Sequence, residues 1–170
     1  MRCYLLRHAE AVPQGTPDYR SDAERPLTPE GHAQARAAAA ALQRLKIPVD
    51  AIATSGFVRA AQTASPVARA FELERAMVEL AALRPEARPG DSSRALREFS
   101  DREHVVLVGH EPHMSAWLAT LVAGAGGLRC DFKKGAIACV ELERVPPAQG
   151  SGTLRWFLTP KQLALIGTTA

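Results

Sequence analysis

The sequence predicts an α/β fold, a single three-layer α/β/α domain around a central, mostly parallel mixed sheet. Two patterns carry that expectation. Short apolar runs of strand type recur at residues 2–6, 51–53 and 104–108, and segments of helical period, 10 to 18 residues long, separate them. A chain of 170 residues with 46% hydrophobic content also suffices for one full core, with no repeat and no interdomain linker in it.

The elements follow in order. Residues 2–6 (Arg-Cys-Tyr-Leu-Leu) read as a buried strand, followed by a polar loop through Pro26. Thr28-Pro29-Glu30 opens a helix, with a hydroxyl N-cap, proline at the first helical position and an acid in the first turn. The alanine-rich stretch carries it to Leu45, with Ala38, Ala41, Leu42 and Leu45 on one face, and Lys46-Ile47-Pro48 ends it. Ala51-Ile52-Ala53 is a second strand, after which Thr54-Ser55-Gly56 leads into a helix through about Phe71. A third strand is expected near 76–79, a loop over 84–91 and a short helix near 92–100. His104 to Val108 has the β-branched, doubly apolar character of a central parallel strand. The turn Gly109-His110-Glu111-Pro112 precedes an apolar helix over 113–123 and a Gly-rich loop over 124–135. Two late strands, about 136–143 and 153–158, flank a Pro-Pro-Ala-Gln-Gly turn.

Composition excludes several classes of function. The net charge is +3 and the pI about 9.0, but the basic residues are scattered and only nine aromatics are present. Nucleic-acid binding would want a dense basic block interleaved with aromatics; mild basicity suits a small anionic substrate equally well. Cys3, Cys130 and Cys139 are odd in number and lack CxxC spacing, which argues against a disulfide framework or a structural zinc site. Arg7, His8 and Glu10 interrupt any secretory leader, and no apolar run approaches the ~18 residues of a membrane span. The expectation is a cytoplasmic protein without a membrane or nucleic-acid partner.

Unusual polar residues follow three of the strands: Arg7-His8 after the first, Arg59 after the second and His110 after the 104–108 strand. In open parallel sheets the carboxyl ends of the strands form the ligand crevice, so these residues are expected to converge. Arginine forks match phosphate oxygens and stay charged. A neutral imidazole is a competent nucleophile toward phosphorus, and nearby arginines disfavour imidazolium. Its other ring nitrogen needs a carbonyl or carboxylate partner to set the tautomer. The set is coherent for phosphoryl transfer with no metal and no cofactor.

Four ordered segments carry a resemblance. Arg7-His8-Ala9-Glu10 resembles the Arg-His-Gly/Ala signature of the histidine phosphatase (phosphoglycerate mutase-like) superfamily, and Arg25-Pro26-Leu27-Thr28-Pro29-Glu30-Gly31 its Leu-Thr-x-x-Gly segment. Thr54-Ser55-Gly56-Phe57-Val58-Arg59-Ala60-Ala61-Gln62-Thr63-Ala64 is similar to its Ser-Pro-x-x-Arg-x-x-Gln-Thr segment, and Val108-Gly109-His110-Glu111-Pro112 to its second-histidine motif. The short length and Phe132-Lys133-Lys134-Gly135-Ala136 are most similar to the SixA-type phosphohistidine phosphatases. The resemblance implies that His8 is the phosphorylated nucleophile, that Arg7 and Arg59 bind the phosphate oxygens, and that His110 donates to them. Arg25 and Glu10 are implied at the border, contacting the leaving group or orienting a neighbour. The implied partner is a phosphorylated substrate, a phosphohistidine protein.

Two departures from the family pattern stand out. Gly56 replaces a proline, which is expected to loosen the start of the helix carrying Arg59. Where larger members place a general acid, this chain has Leu80-Ala81-Ala82, leaving Glu79, Glu86 and Asp91 as substitutes. A phosphohistidine's imidazole leaves more readily than an alkoxide and depends less on such an acid. The alternatives are a small-metabolite phosphomonoesterase on the same site, a mutase, and a non-catalytic phosphate- or phosphoprotein-binding module. Blander readings also exist. His110 and His113 have the spacing of a metal pair, Glu10 reads as solvated or paired with Arg25, and Lys133-Lys134 reads as an exposed loop pair that could greet an acidic partner.

Overall fold

A computed structural model describes residues 1–124 and 127–168. Its first strand, β1 (Arg2–Arg7), is followed by a long loop with one 3₁₀ turn at Asp22–Glu24. Helix α1 (Pro29–Arg44), β2 (Ala51–Thr54), α2 (Val58–Ala70), the two-residue β3 (Val78–Glu79) and α3 (Pro89–Ala95) come next. Then follow β4 (His104–Gly109), α4 (His113–Ala123), β5 (Ile137–Glu141), β6 (Thr153–Leu158) and α5 (Pro160–Gly167). Residues 125 and 126 of the expected Gly-rich loop lie outside the described residues.

The six strands form one sheet in the order β3-β2-β4-β1-β5-β6. Pairs among β1 to β4 are parallel, and β5 and β6 join antiparallel at one side. Alternation along the strands sends residues to opposite faces and so to two cores. Tyr4, Leu6, Ile52, Val106 and Val108 pack with Ala38, Ala41 and Leu42 of α1, Ala60, Ala64 and Val67 of α2 and Leu163 of α5. Cys3, Leu5, Val105 and Leu107 pack on the other side with Leu96, Phe99 and the α4 residues Met114, Trp117, Leu118 and Leu121. This is the expected three-layer α/β/α architecture.

Several local expectations shift. Leu45 is not on the buried face: it is the C-cap residue of α1, already past the helical turn, and 45% exposed. The loop over 84–91 ends earlier, because Pro89 takes the first helical position of α3 and Asp91 its first turn. The structure adds a C-terminal helix, α5, after β6. Its start carries a capping box, in which the Thr159 hydroxyl accepts from the Gln162 N–H and Gln162 reaches back.

The expected N-terminus of α1 holds. Thr28 Oγ1 accepts from the Gly31 N–H at 3.0 Å, a cap typically worth about 1 kcal/mol. Glycine at 31 has a further cause. A Cβ there would lie 1.9 Å from the carbonyl oxygen of Glu10, because α1 begins directly against the backbone that follows His8. The same carbonyl accepts from the Thr28 N–H at 3.0 Å. The Leu-Thr-x-x-Gly segment is therefore a docking device between helix and loop. Gly31→Ala is expected to destabilise the chain by about 1–3 kcal/mol, measured by urea unfolding, since a backbone atom rather than a flexible side chain must give way.

Candidate active site

Pairing brings the strand ends level. In register, Arg7 stands opposite Gly109, and Leu6 and Thr54 stand opposite Val108 on either side of β4. Beyond the strands, the His8 N–H donates to Gly109 O at 2.9 Å and the Ser55 N–H to Val108 O at 3.2 Å. The segments bearing His8, Arg59 and His110 thus leave the sheet side by side. The rings of His8 and His110 have centroids 4.9 Å apart, and Phe57 packs 4.9 Å from His110 with the Arg59 guanidinium 5.0 Å over its ring.

His8 is 6% exposed and has a defined tautomer. Its Nδ1 donates to the carbonyl of Ala9 at 2.7 Å, while Nε2 accepts from Arg59 Nε at 3.3 Å. The lone pair therefore sits on Nε2, facing a fixed cation. Burial is the main reason the His8 pKa falls to about 3; the Ala9 hydrogen bond opposes the shift, and the charges of Arg59, Arg7 and Lys134 reinforce it. His110 is pushed down to about 2, again chiefly by burial, with His8 and Arg59 adding to it. Its Nε2 pairs with Ser55 Oγ at 2.6 Å.

Two buried nitrogens beside His8, Nε of Arg7 and Nδ1 of His110, have no partner among the described residues. Arg7 is otherwise held by Nη1 donating to Phe132 O at 2.6 Å. Unpaired buried polar groups each cost about 1–3 kcal/mol and call for an explanation. A bound anion supplies one: the pocket offers arginine N–H groups and neutral imidazoles, the donor set of an oxyanion site rather than of a metal. His113 lies apart, with Nε2 on Ser92 Oγ at 2.8 Å and its ring stacked on Trp117, so it forms no metal pair with His110.

The border residues differ from expectation. Arg25 does not pair with Glu10. Its Nε and Nη2 donate to Asp22 Oδ1 at 2.9 and 2.6 Å, and Asp22 Oδ2 takes Nη2 of Arg59 at 2.7 Å. Arginine's planar fork needs a carboxylate it can meet in plane, and the 3₁₀ turn three residues away supplies one. Glu10 contributes its backbone instead, the N–H donating to Gln34 Oε1 at 3.0 Å. Gly56 is not loose either. It adopts φ +82°, closed to proline, and the turn is pinned by Gly56 N–H to Thr54 Oγ1 at 3.1 Å and Phe57 N–H to Ser55 Oγ at 3.3 Å.

Sequence reasoning missed Asp22, Ser55 and Thr63. Thr63 Oγ1 accepts from the Ala9 N–H at 3.0 Å and donates to Arg59 O at 2.6 Å, tying the two site segments together. Gln62 Oε1 accepts from the Leu27 N–H at 2.7 Å. The Gln-Thr pair was visible in the sequence, but its role as a brace was not.

A model of the histidine phosphatase superfamily (branch 1) matches residues 3–87, which includes the segments bearing His8 and Arg59. The chain belongs to that superfamily. This histidine phosphatase is 33% identical to an uncharacterized protein of Picosynechococcus sp., over 81% of this chain and 82% of that one. It is 29% identical to the phosphohistidine phosphatase SixA of Escherichia coli, over 97% and 98% of the two chains. A solved structure of SixA complexed with tungstate superposes with a TM-score of 0.80 at 29% identity, covering 96% of this chain and 99% of that one. Fold and phosphatase class agree with the sequence reading, and no helix among the described residues is long and apolar enough to cross a membrane.

The buried imidazoles make stability depend on pH. His8 and His110 titrate near 3 and 2 when folded, but near 6.5 when exposed in the unfolded chain. Below that value the unfolded chain binds more protons, so stability is complete above neutrality and declines as pH falls through 6.5. Thermal midpoints are expected to fall from about pH 7 to about pH 4, with a shallower slope for His110→Asn. An equal slope in wild type and variant would contradict the buried, neutral assignment.

Proposed function

We propose that this histidine phosphatase hydrolyses phosphohistidine on a protein partner through a covalent intermediate on His8. The observation that carries the chemistry is the tautomer of His8, with Nδ1–H held by Ala9 O and the Nε2 lone pair beside Arg59. Nε2 attacks phosphorus and the partner's imidazole leaves; water then displaces His8 from phosphorus, releasing phosphate and regenerating the free imidazole. Arg7 and Arg59 carry the charge on the equatorial oxygens; with the Ser55 hydroxyl, which accepts from Phe57 N–H, donating to Nε2 of His110, the unpaired Nδ1–H serves as a further donor to them. Arg25 acts through Asp22, and Glu10 through the backbone that seats α1. The likeness to SixA over nearly the whole of both chains supports the choice of substrate.

One observation favours a second reading. Of the three candidate acids, Glu79 and Glu86 are both exposed and Asp91 is ion-paired with Arg94. Glu79, at the end of β3, places Oε2 2.8 Å from where a Gly56 Cβ would stand, against the turn that leads to Arg59. A carboxyl there supports proton donation to an alkoxide, and so a small-metabolite phosphomonoesterase.

Acid-labile label from a phosphohistidine protein should appear on wild type and not on His8→Ala. Neither label nor turnover on any substrate would leave only a binding role. Arg59→Ala should lower kcat/KM by on the order of 10²–10³, as loss of one charge-stabilising donor does. Glu79→Gln should leave phosphohistidine turnover unchanged. Faster clearance of sugar phosphates than of the phosphoprotein, abolished in Glu79→Gln, would establish the second reading instead.

A further inference from the structure

The Nε–H and Nη2–H of an arginine leave the guanidinium along one edge, the fork that meets an oxyanion through two oxygens. In Arg59 that edge is divided. Nε faces His8 Nε2 at 3.3 Å, and Nη2 donates to Asp22 Oδ2 at 2.7 Å. Nη1 donates to the backbone carbonyl of the same aspartate at 2.5 Å. A phosphoryl group arriving on His8 Nε2 therefore meets a carboxylate oxygen already seated on the arginine edge it needs.

The charges and the local structure fit an exchange. Burial alone would raise the Asp22 carboxyl, but hydrogen bonds from Arg25 and Arg59 outweigh it and keep the group ionised. Arg59 is 3% exposed whereas the Asp22 side chain is 35% exposed, so the carboxylate is the accessible member of the pair. It sits on a 3₁₀ turn with no buried residue, which can shift without disturbing the core. Arg25 offers a second anchor, with Nη1 on Val12 O at 2.5 Å and Nε and Nη2 on Asp22 Oδ1. That anchor keeps the aspartate close while it is off Arg59.

We propose that Asp22 is a displaceable internal anion, holding the phosphate-binding edge of Arg59 until the substrate's phosphoryl group replaces it. This rests on the reading of the pocket as a phosphate site. As an intramolecular competitor, Asp22 acts at high effective concentration against every oxyanion that enters. A phosphate tethered to a docked protein gains contacts elsewhere and outcompetes it; inorganic phosphate, the product, has only the pocket and is expelled. Asp22 is thus a positioning residue for Arg59 and a determinant of specificity for carried over free phosphate.

Sulfate and tungstate titrated calorimetrically into wild type, Asp22→Asn and Asp22→Ala test this, with thermal unfolding as the control for folding. Asparagine keeps the size and an acceptor oxygen and removes the charge, so a purely structural brace would leave affinity unchanged or weaker. Asp22→Asn is expected to bind both oxyanions about tenfold more tightly, the effect of one unit charge a few ångströms away at partial exposure. The inhibition constant of inorganic phosphate should fall in parallel, and Asp22→Ala, read in its place should Asp22→Asn not fold, should tighten likewise. Oxyanion binding by wild type without tightening in the variant overturns this role and leaves the phosphate site standing. No binding by any of the three proteins overturns both.

Discussion

The parallel pairing of β1 with β4 is the constraint on which the site depends. It sets Arg7 beside Gly109, so the chain leaves the two strands at one level and passes directly into His8 and His110. The strands themselves are buried on both faces, with Leu5, Leu6, Leu107 and Val108 all inaccessible to solvent. A one-residue slip would reverse the two faces of β1 and place core residues where the site should open. Burial of ordinary aliphatic side chains therefore fixes the register, and the register places the histidines. β2 completes the arrangement from the other side of β4, delivering Ser55 to His110 and leading α2, with Arg59 in its first turn, over His8.

Burial then sets the chemistry. An imidazole among cations in water would remain largely available to protons at mildly acid pH. Here desolvation comes first and the guanidinium and ammonium charges add to it, so His8 stays neutral. Orientation is a separate matter. It comes from backbone and hydroxyl groups: the Ala9 carbonyl on Nδ1, and Thr63 linking the Ala9 N–H to the Arg59 carbonyl. The cations are held as firmly, Arg7 by the Phe132 carbonyl and Arg59 by Asp22. Arg25 and Arg59 are also brought together on one carboxylate, Asp22, without an anion from outside. That is a costly arrangement in a partly dry crevice unless an internal carboxylate shares it.

Much of this was legible along the chain. Strand and helix patterns located the strands and the main helices through β6, though not the 3₁₀ turn at Asp22–Glu24 or the early start of α3, and caps such as Thr28 and breakers such as Pro48 marked ends. Polar residues at or just beyond the ends of apolar strands marked His8 and His110, and the second strand led to Arg59. What escaped was of two kinds. Some signals were present but weak, such as the Thr159 to Gln162 box that opens α5 after a short strand. Others had no local signal at all. Asp22 lies in a polar loop where any carboxylate would pass as solvated, and its partner Arg59 is 37 residues away. Glu10, two residues from His8, looked like a site residue, and the structure uses its backbone, whose carbonyl seats the start of α1.

The sequence by itself determined the fold class, the family and the candidate residues for a phosphate site, because hydrophobic period and motif chemistry are written locally. The tertiary structure alone decided which nitrogen of His8 carries the lone pair, which carboxylate meets Arg25 and Arg59, and why position 31 is glycine. Each of those depends on groups from separate segments meeting within about 3 Å, where hydrogen-bond geometry is resolved. Spacing along a chain specifies no such distance until the sheet has closed.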